Sequence, residues 1–147
     1  MKRIVLGLFL LATFVTANAA DRKYINIPRP SNSATLPFSD GVLIMNTLYV
    51  SGHLGLTSQG TPADTPEEEA KLAMEGVKDT VKAAGMKMED IVNVQVFCTD
   101  LKLYDTFNTV YKTYFKDNFP ARSFIGTDKL LRGAHFEVLA VAIKRKG

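Results

Sequence analysis

The chain has 147 residues, 46% of them hydrophobic, with a formal net charge of +3 and a single cysteine. That is the length of one ordinary domain with material for a sizeable core, and it excludes an intrachain disulfide framework, since one thiol has nothing to pair with. Two of the 18 basic residues, Lys2 and Arg3, lie in a segment expected to be removed, so the remainder nearly balances the 15 acidic residues and gives no footprint for nucleic acid.

Residues 1–19 read as a secretory signal peptide. Met1-Lys2-Arg3 is a short basic start, Ile4 to Val15 is an apolar run too short to span a bilayer comfortably, and Ala17-Asn18-Ala19 has the small-x-small form of a cleavage site. The expectation is a chain cut near Ala19, periplasmic or secreted, with no stable membrane association afterwards. An uncleaved anchor is the competing reading. Residues 20–147 read as one domain.

Tyr24, Ile25 and Ile27 suit a short edge strand that Pro28 and Pro30 stop. Val42–Met45 and Leu48–Gly52 are two extended runs, with Asn46-Thr47 as a tight turn between them. Thr65-Pro66-Glu67-Glu68 is a helix start: Thr65 can cap, Pro66 suits the first helical position and Glu68 completes a capping box. Ala70, Ala73, Met74, Val77, Val81 and Ala84 recur at helical spacing and define a buried face, and Gly85 ends the helix in a left-handed conformation. Ile91–Cys98 alternates as a strand, with Val92, Val94, Val96 and Cys98 on one side. A second helix is expected from about Leu103 to Phe115, with Leu103, Phe107, Tyr111, Tyr114 and Phe115 as its core stripe. Ser123–Gly126 and Ala134–Lys144 are the last strands. The order predicts an α+β fold, one sheet with two helices on a single face.

Among the polar residues, Arg122 stands out. It follows a helix and a proline and opens an extended segment, which places a permanently charged planar fork at the edge of an apolar fold. Such a fork matches a carboxylate, although a surface salt bridge is the commoner use of an arginine. His53 and His135 lack metal-ligand spacing with a second His or Cys, so no metal site is expected. His53 reads as a site residue or a loop residue. Glu67, Glu68 and Glu69 read as a charged first turn that favours the positive end of the helix, and Cys98 as a buried, inert thiol.

The segments Leu36-Pro37-Phe38-Ser39-Asp40-Gly41 and Leu48-Tyr49-Val50-Ser51-Gly52-His53 resemble the opening half of the YjgF/Rid (RidA) family. So do Ala83-Ala84-Gly85-Met86 leading into Ile91–Leu101, Asn108 three residues before Tyr111, Pro120-Ala121-Arg122-Ser123, and Leu131-Arg132-Gly133-Ala134 with Phe136-Glu137-Val138. The resemblance covers about residues 25–145. It implies a mixed sheet of the chorismate-mutase-like YjgF type, a homotrimer with ligand clefts between subunits, and no metal or organic cofactor. The implied activity is an enamine/imine deaminase that hydrolyses reactive 2-imino acids to 2-keto acids and ammonia. Arg122 then binds the substrate carboxylate, Ser51, Gly52 and Asn108 lie at or near the cleft, and Phe38 and Phe124 line it.

The chain departs from the family pattern where Phe38 replaces a tyrosine, where Phe124 replaces a smaller residue, and at Leu139, where a second, water-positioning glutamate is expected. Glu137, two residues from Leu139, is the remaining catalytic candidate, with a structural salt bridge as its other reading. A non-catalytic trimeric binder of small carboxylates is the alternative to the deaminase. RNA cleavage lacks a basic patch with interleaved aromatics.

Overall fold

The computed structural model describes residues 21–29 and 36–145, and the expected leader lies outside them. Six strands and two helices alternate along the chain: β1 (Arg22–Ile25), β2 (Gly41–Ile44), β3 (Thr47–Leu54), α1 (Pro66–Ala83), β4 (Ile91–Cys98), α2 (Tyr104–Tyr111), β5 (Ala121–Gly126) and β6 (Phe136–Ile143). They form one mixed sheet in the order β1-β2-β3-β6-β4-β5, in which only β4 and β5 run parallel. Both helices cover the same face. The core between them and the sheet holds Leu48, Val77, Val94, Val96, Phe107, Phe136 and Val138, all essentially inaccessible to solvent. The expected α+β arrangement is therefore present.

Local chemistry explains the first helix. Thr65 is extended and its hydroxyl accepts from Glu68 N at 3.2 Å, Pro66 takes the first position, and Gly85 adopts φ 72° just beyond the end. The second helix is shorter than its stripe suggests. α2 has eight residues, flanked by tight 3-10 turns at Leu101–Leu103 and Lys112–Tyr114, so the stripe continues through changes of pitch. The β2–β3 turn falls one residue early, on Met45-Asn46, because Ile44 pairs with Thr47; Met45 takes φ 55°, a conformation usually left to glycine.

Two bulges set which side chains face where. In β4, Ile91 pairs with Ala142 and Asn93 with Val141, so Val92 is an extra residue. Ile91 fills the core and Val92 is 43% exposed, not aligned with Val94 and Val96 as strict alternation predicts. In β3, Val50 pairs with Ala140 and His53 with Val138, which leaves Ser51 and Gly52 as the irregular step. Alternation is reversed there, and Val50 and His53 both face α1.

His53 is consequently a part-buried histidine beneath the helix. The Thr80 hydroxyl donates to Gly76 O at 3.0 Å and so accepts from His53 Nε2–H, also at 3.0 Å. His53 Nδ1 then faces helix backbone so closely that a Cβ on Gly76 would sit 2.5 Å from it. Burial holds the imidazole below its ordinary value of 6.5, against the pull of Asp40. Above about pH 6.5 the neutral ring contributes its full stability. As the pH falls below that value, the unfolded chain takes a proton that the native ring resists, and stability is lost down to the native pKa. His53→Gln is expected to flatten this part of the stability curve in urea titrations between about pH 5 and about pH 7.5; an unchanged slope would place the titrating group elsewhere.

Candidate active site

Arg122 lies on edge strand β5, opposite Val94, on the same face as the helices. The face follows from register: Phe124, two residues on, packs edge-to-face on Phe107 of α2 with ring centres 5.5 Å apart. Helix α2 then builds a cage round the guanidinium. Tyr104, Asn108 and Tyr111 stand at helical spacing on one side of α2. Asn108 Oδ1 accepts from Arg122 Nη2 at 2.8 Å and the Tyr104 hydroxyl accepts from the same nitrogen at 3.4 Å. The guanidinium carbon lies 4.6 Å from the centre of the Tyr111 ring and 5.7 Å from those of Tyr104 and Phe124.

The two polar contacts use only Nη2. Among the described residues Nε and Nη1 make no hydrogen bond, so three of the five N–H donors remain for a ligand. Among those residues Arg122 also has no salt bridge, which removes the bland reading of its charge. The cleft in front of it, about 370 Å³, is walled by Tyr104, Tyr111, Phe119 and Pro120, with Asn108 and Lys112 also in its lining. An anion entering it meets a positive fork with apolar walls, where charge-assisted bonds are strong. Phe124 belongs to this cage as a packing partner of Arg122.

A second group of residues gathers on the other side of the sheet. Phe136 and Val138 point into the core, so Glu137 points to the face that carries no helix. It lies against the Ser51–Gly52 bulge, and a Cβ on Gly52 would collide with Glu137 Oε1. Glycine is the residue that admits the carboxylate there. The Ser51 hydroxyl donates to Ser39 O at 2.7 Å and Ser51 N to Asp40 O at 2.9 Å. These bonds dock the Phe38–Asp40 segment on the bulge and leave the Ser51 oxygen free only to accept. Asp40 is buried and tied to Arg29 and to Ile27 N, the latter at 2.7 Å. Phe38, at the outer end of the segment, is 54% exposed. Leu139 lies on the same face as Glu137 but lines a separate cavity of about 290 Å³ with Tyr49, Asn93, Gln95 and Val141.

The predicted site residues thus fall into two groups. Arg122, Asn108 and Phe124 meet on the helix side of the sheet edge, whereas Glu137, Gly52, Ser51 and Phe38 meet on the open side. β4 separates β5 from β6, so the two groups are also about 10 Å apart across the strands. A small ligand cannot touch Arg122 and Glu137 of one copy of the chain together.

Sequence reasoning missed Tyr104 and Tyr111 as cage members, although their spacing to Asn108 was a readable signal. It also misread Glu69. That side chain is fully buried at the start of α1: Oε1 accepts from the backbone N–H groups of His135 and Phe136, the latter at 2.9 Å, and Oε2 pairs with His135 Nδ1 at 2.8 Å. It is a clamp between α1 and the start of β6, not part of a solvated first turn. His135 is its half-exposed partner. Cys98 is buried, its thiol donates to Asp100 O at 3.1 Å, and burial pushes its pKa up, as suits an inert thiol.

A six-stranded mixed sheet with both helices on one face, and an arginine fork on its parallel edge strand, defines the YjgF class of α+β fold. The YjgF gene product of Escherichia coli superposes with a TM-score of 0.76 at 31% identity, over 84% of this chain and 99% of that one. Escherichia coli TdcF, solved with bound serine, gives 0.75 at 31% identity, over 84% and 100%. The family described as endoribonuclease L-PSP matches residues 29–144, and the human 2-iminobutanoate/2-iminopropanoate deaminase is 37% identical over 110 residues, 74% of this chain and 80% of its own. The chain belongs to this Rid/YjgF/L-PSP family.

Proposed function

We propose that this protein is an enamine/imine deaminase that hydrolyses small 2-imino acids, of the 2-iminobutanoate and 2-iminopropanoate type, to 2-keto acids and ammonia. The observation that carries the reading is the caged Arg122 fork with free donors facing an apolar cleft. The deaminases among its relatives and the serine held by TdcF support a small amino-acid-like ligand. Arg122 grips the carboxylate through Nε and Nη1 while Asn108 fixes Nη2. That grip holds the imine carbon in place for attack by water.

The remaining polar groups come from a neighbouring copy. Glu137 and the Ser51 oxygen of that copy face the imine carbon and position the water. Glu137 accepts a proton from the water as its oxygen bonds to the carbon and returns that proton to the nitrogen, giving the carbinolamine; the carbinolamine hydroxyl then gives up its proton, which Glu137 passes to the amine as the C–N bond breaks, so that ammonia leaves and the keto acid remains. Phe38 forms an apolar wall on that side. Because two different patches meet, the contact is heterologous, and a closed ring satisfies it; the homotrimer implied by the resemblance is such a ring. The face without helices carries Tyr24 and Tyr49, 61% and 53% exposed, as apolar material for this assembly. We also propose that the leader is cleaved near Ala19 and that the mature protein works in the periplasm or outside the cell, which the mass of the native N-terminal peptide tests.

The direct test generates 2-iminobutanoate in situ and follows ammonia and 2-oxobutanoate. Purified protein is expected to accelerate their formation well above the buffer rate. Retention of 2-oxobutanoate binding without any acceleration would instead make the protein a small-carboxylate binder.

A further inference from the structure

Tyr111 is nearly inaccessible, yet its hydroxyl has no hydrogen-bond partner among the described residues. Burial pushes the phenol up to about 12, so it is neutral across the physiological range. An unpaired buried hydroxyl is a liability that phenylalanine would remove. What the side chain does supply is a flat π face, packed between Phe107, Phe115 and Phe119 and held at that angle by them. The guanidinium of Arg122 lies over that face at 4.6 Å, closer than over the rings of Tyr104 and Phe124.

We infer that Tyr111 is a positioning residue for Arg122: its ring face, wedged in the aromatic cluster, fixes the plane of the guanidinium so that Nε and Nη1 point into the cleft. The hydroxyl is idle in this role. Asn108 alone is a single-point contact about which the fork can rotate, and Tyr104 is a long, partly exposed one. A flat, buried ring adds the missing constraint, by cation–π attraction and by contact over the whole fork. This inference rests on Arg122 being the carboxylate anchor proposed above.

The test compares Tyr111→Phe with Tyr111→Leu and Tyr111→Met, the last because methionine fills irregular gaps without a π face. Calorimetry measures binding of 2-oxobutanoate and of its uncharged analogue 2-oxobutanamide. Tyr111→Phe is expected to match the parent protein for both probes and to be at least as resistant to urea. The Leu and Met variants are expected to lose about tenfold in affinity for the acid and to keep their affinity for the amide, with KM for the imino acid rising more than kcat falls. General damage to the fold would weaken acid and amide alike, and equal losses would overturn the inference, as would full acid affinity in both variants. Loss of acid affinity in Tyr111→Phe as well would overturn the idle hydroxyl. Arg122→Ala separates the two levels of the argument. If it keeps acid affinity, the anchor itself is wrong; if it loses affinity while Leu and Met at 111 do not, only the positioning role fails.

Discussion

Replacing Arg122 with alanine is expected to lower kcat/KM for 2-iminobutanoate by roughly a thousandfold. The estimate follows from two charge-assisted hydrogen bonds to the carboxylate, each contributing about 1.5–3 kcal/mol. The desolvated, aromatic surroundings of the cleft favour the upper half of that range, and the competition of water at its open side the lower. Arg122→Lys keeps the charge and loses the fork, so it should recover only part of the activity. Stability should change little, because the side chain is half-buried at a sheet edge and has no salt bridge among the described residues. Steady-state kinetics with a urea titration beside them make the comparison. Turnover within threefold of the parent protein would remove Arg122 from the reaction.

The largest effect on stability belongs to a residue far from Arg122 in sequence. Glu69→Ala is expected to destabilise the fold by about 3–5 kcal/mol, the range for breaking a buried, fully engaged charged group. The carboxylate accepts from two backbone N–H groups at the start of β6 and pairs with His135. Its removal orphans both N–H groups, the buried one of Phe136 and the part-buried one of His135, and alanine leaves a cavity beside Gly55, whose backbone packs on the Glu69 side chain. Urea-induced unfolding measures the loss, and a change below about 1 kcal/mol would show that water replaces the carboxylate without penalty. His135→Ala removes one contact and leaves the two backbone bonds, so it should cost clearly less.

Glu69 shows what local pattern conveys and what it hides. Three consecutive glutamates after a capping threonine look like solvated helix-dipole partners, and two of them are exposed or nearly so. The third is turned inward by helical geometry, and its acceptors are met by strand β6, more than sixty residues away. Nothing within a short window distinguishes it. The strands and helices themselves were legible because apolar periodicity and caps are local: Thr65, Pro66 and Gly85 mark α1 in the sequence as they do in three dimensions. Bulges were not legible, since each depends on the partner strand. Val92 was consequently assigned to the wrong side of its strand, and His53 was left open between a site and a loop.

The sequence offered the candidate residues one by one and not their arrangement. Arg122, Asn108 and Phe124 gather in one group and Ser51, Gly52 and Glu137 in another. That these are two, on opposite faces of the sheet, follows from the parallel pairing of β5 with β4 and from the β3 bulge. Both are tertiary facts. The separation also changes the weight of Leu139. It lines a separate cavity with Asn93 and Gln95, and Glu137 is the carboxylate beside the bulge.

The central claim is that Arg122 of one copy and Glu137 of its neighbour face the same ligand. Subunit complementation tests it most directly. Arg122→Ala and Glu137→Gln proteins, each expected to be inactive, are unfolded together in equal amounts and refolded. In a ring of three every mixed assembly then contains one cleft with both groups intact, and the mixture should regain about a quarter of the parent activity. A mixture as inactive as its two components, with mixed assemblies demonstrated by mass, would contradict the shared cleft.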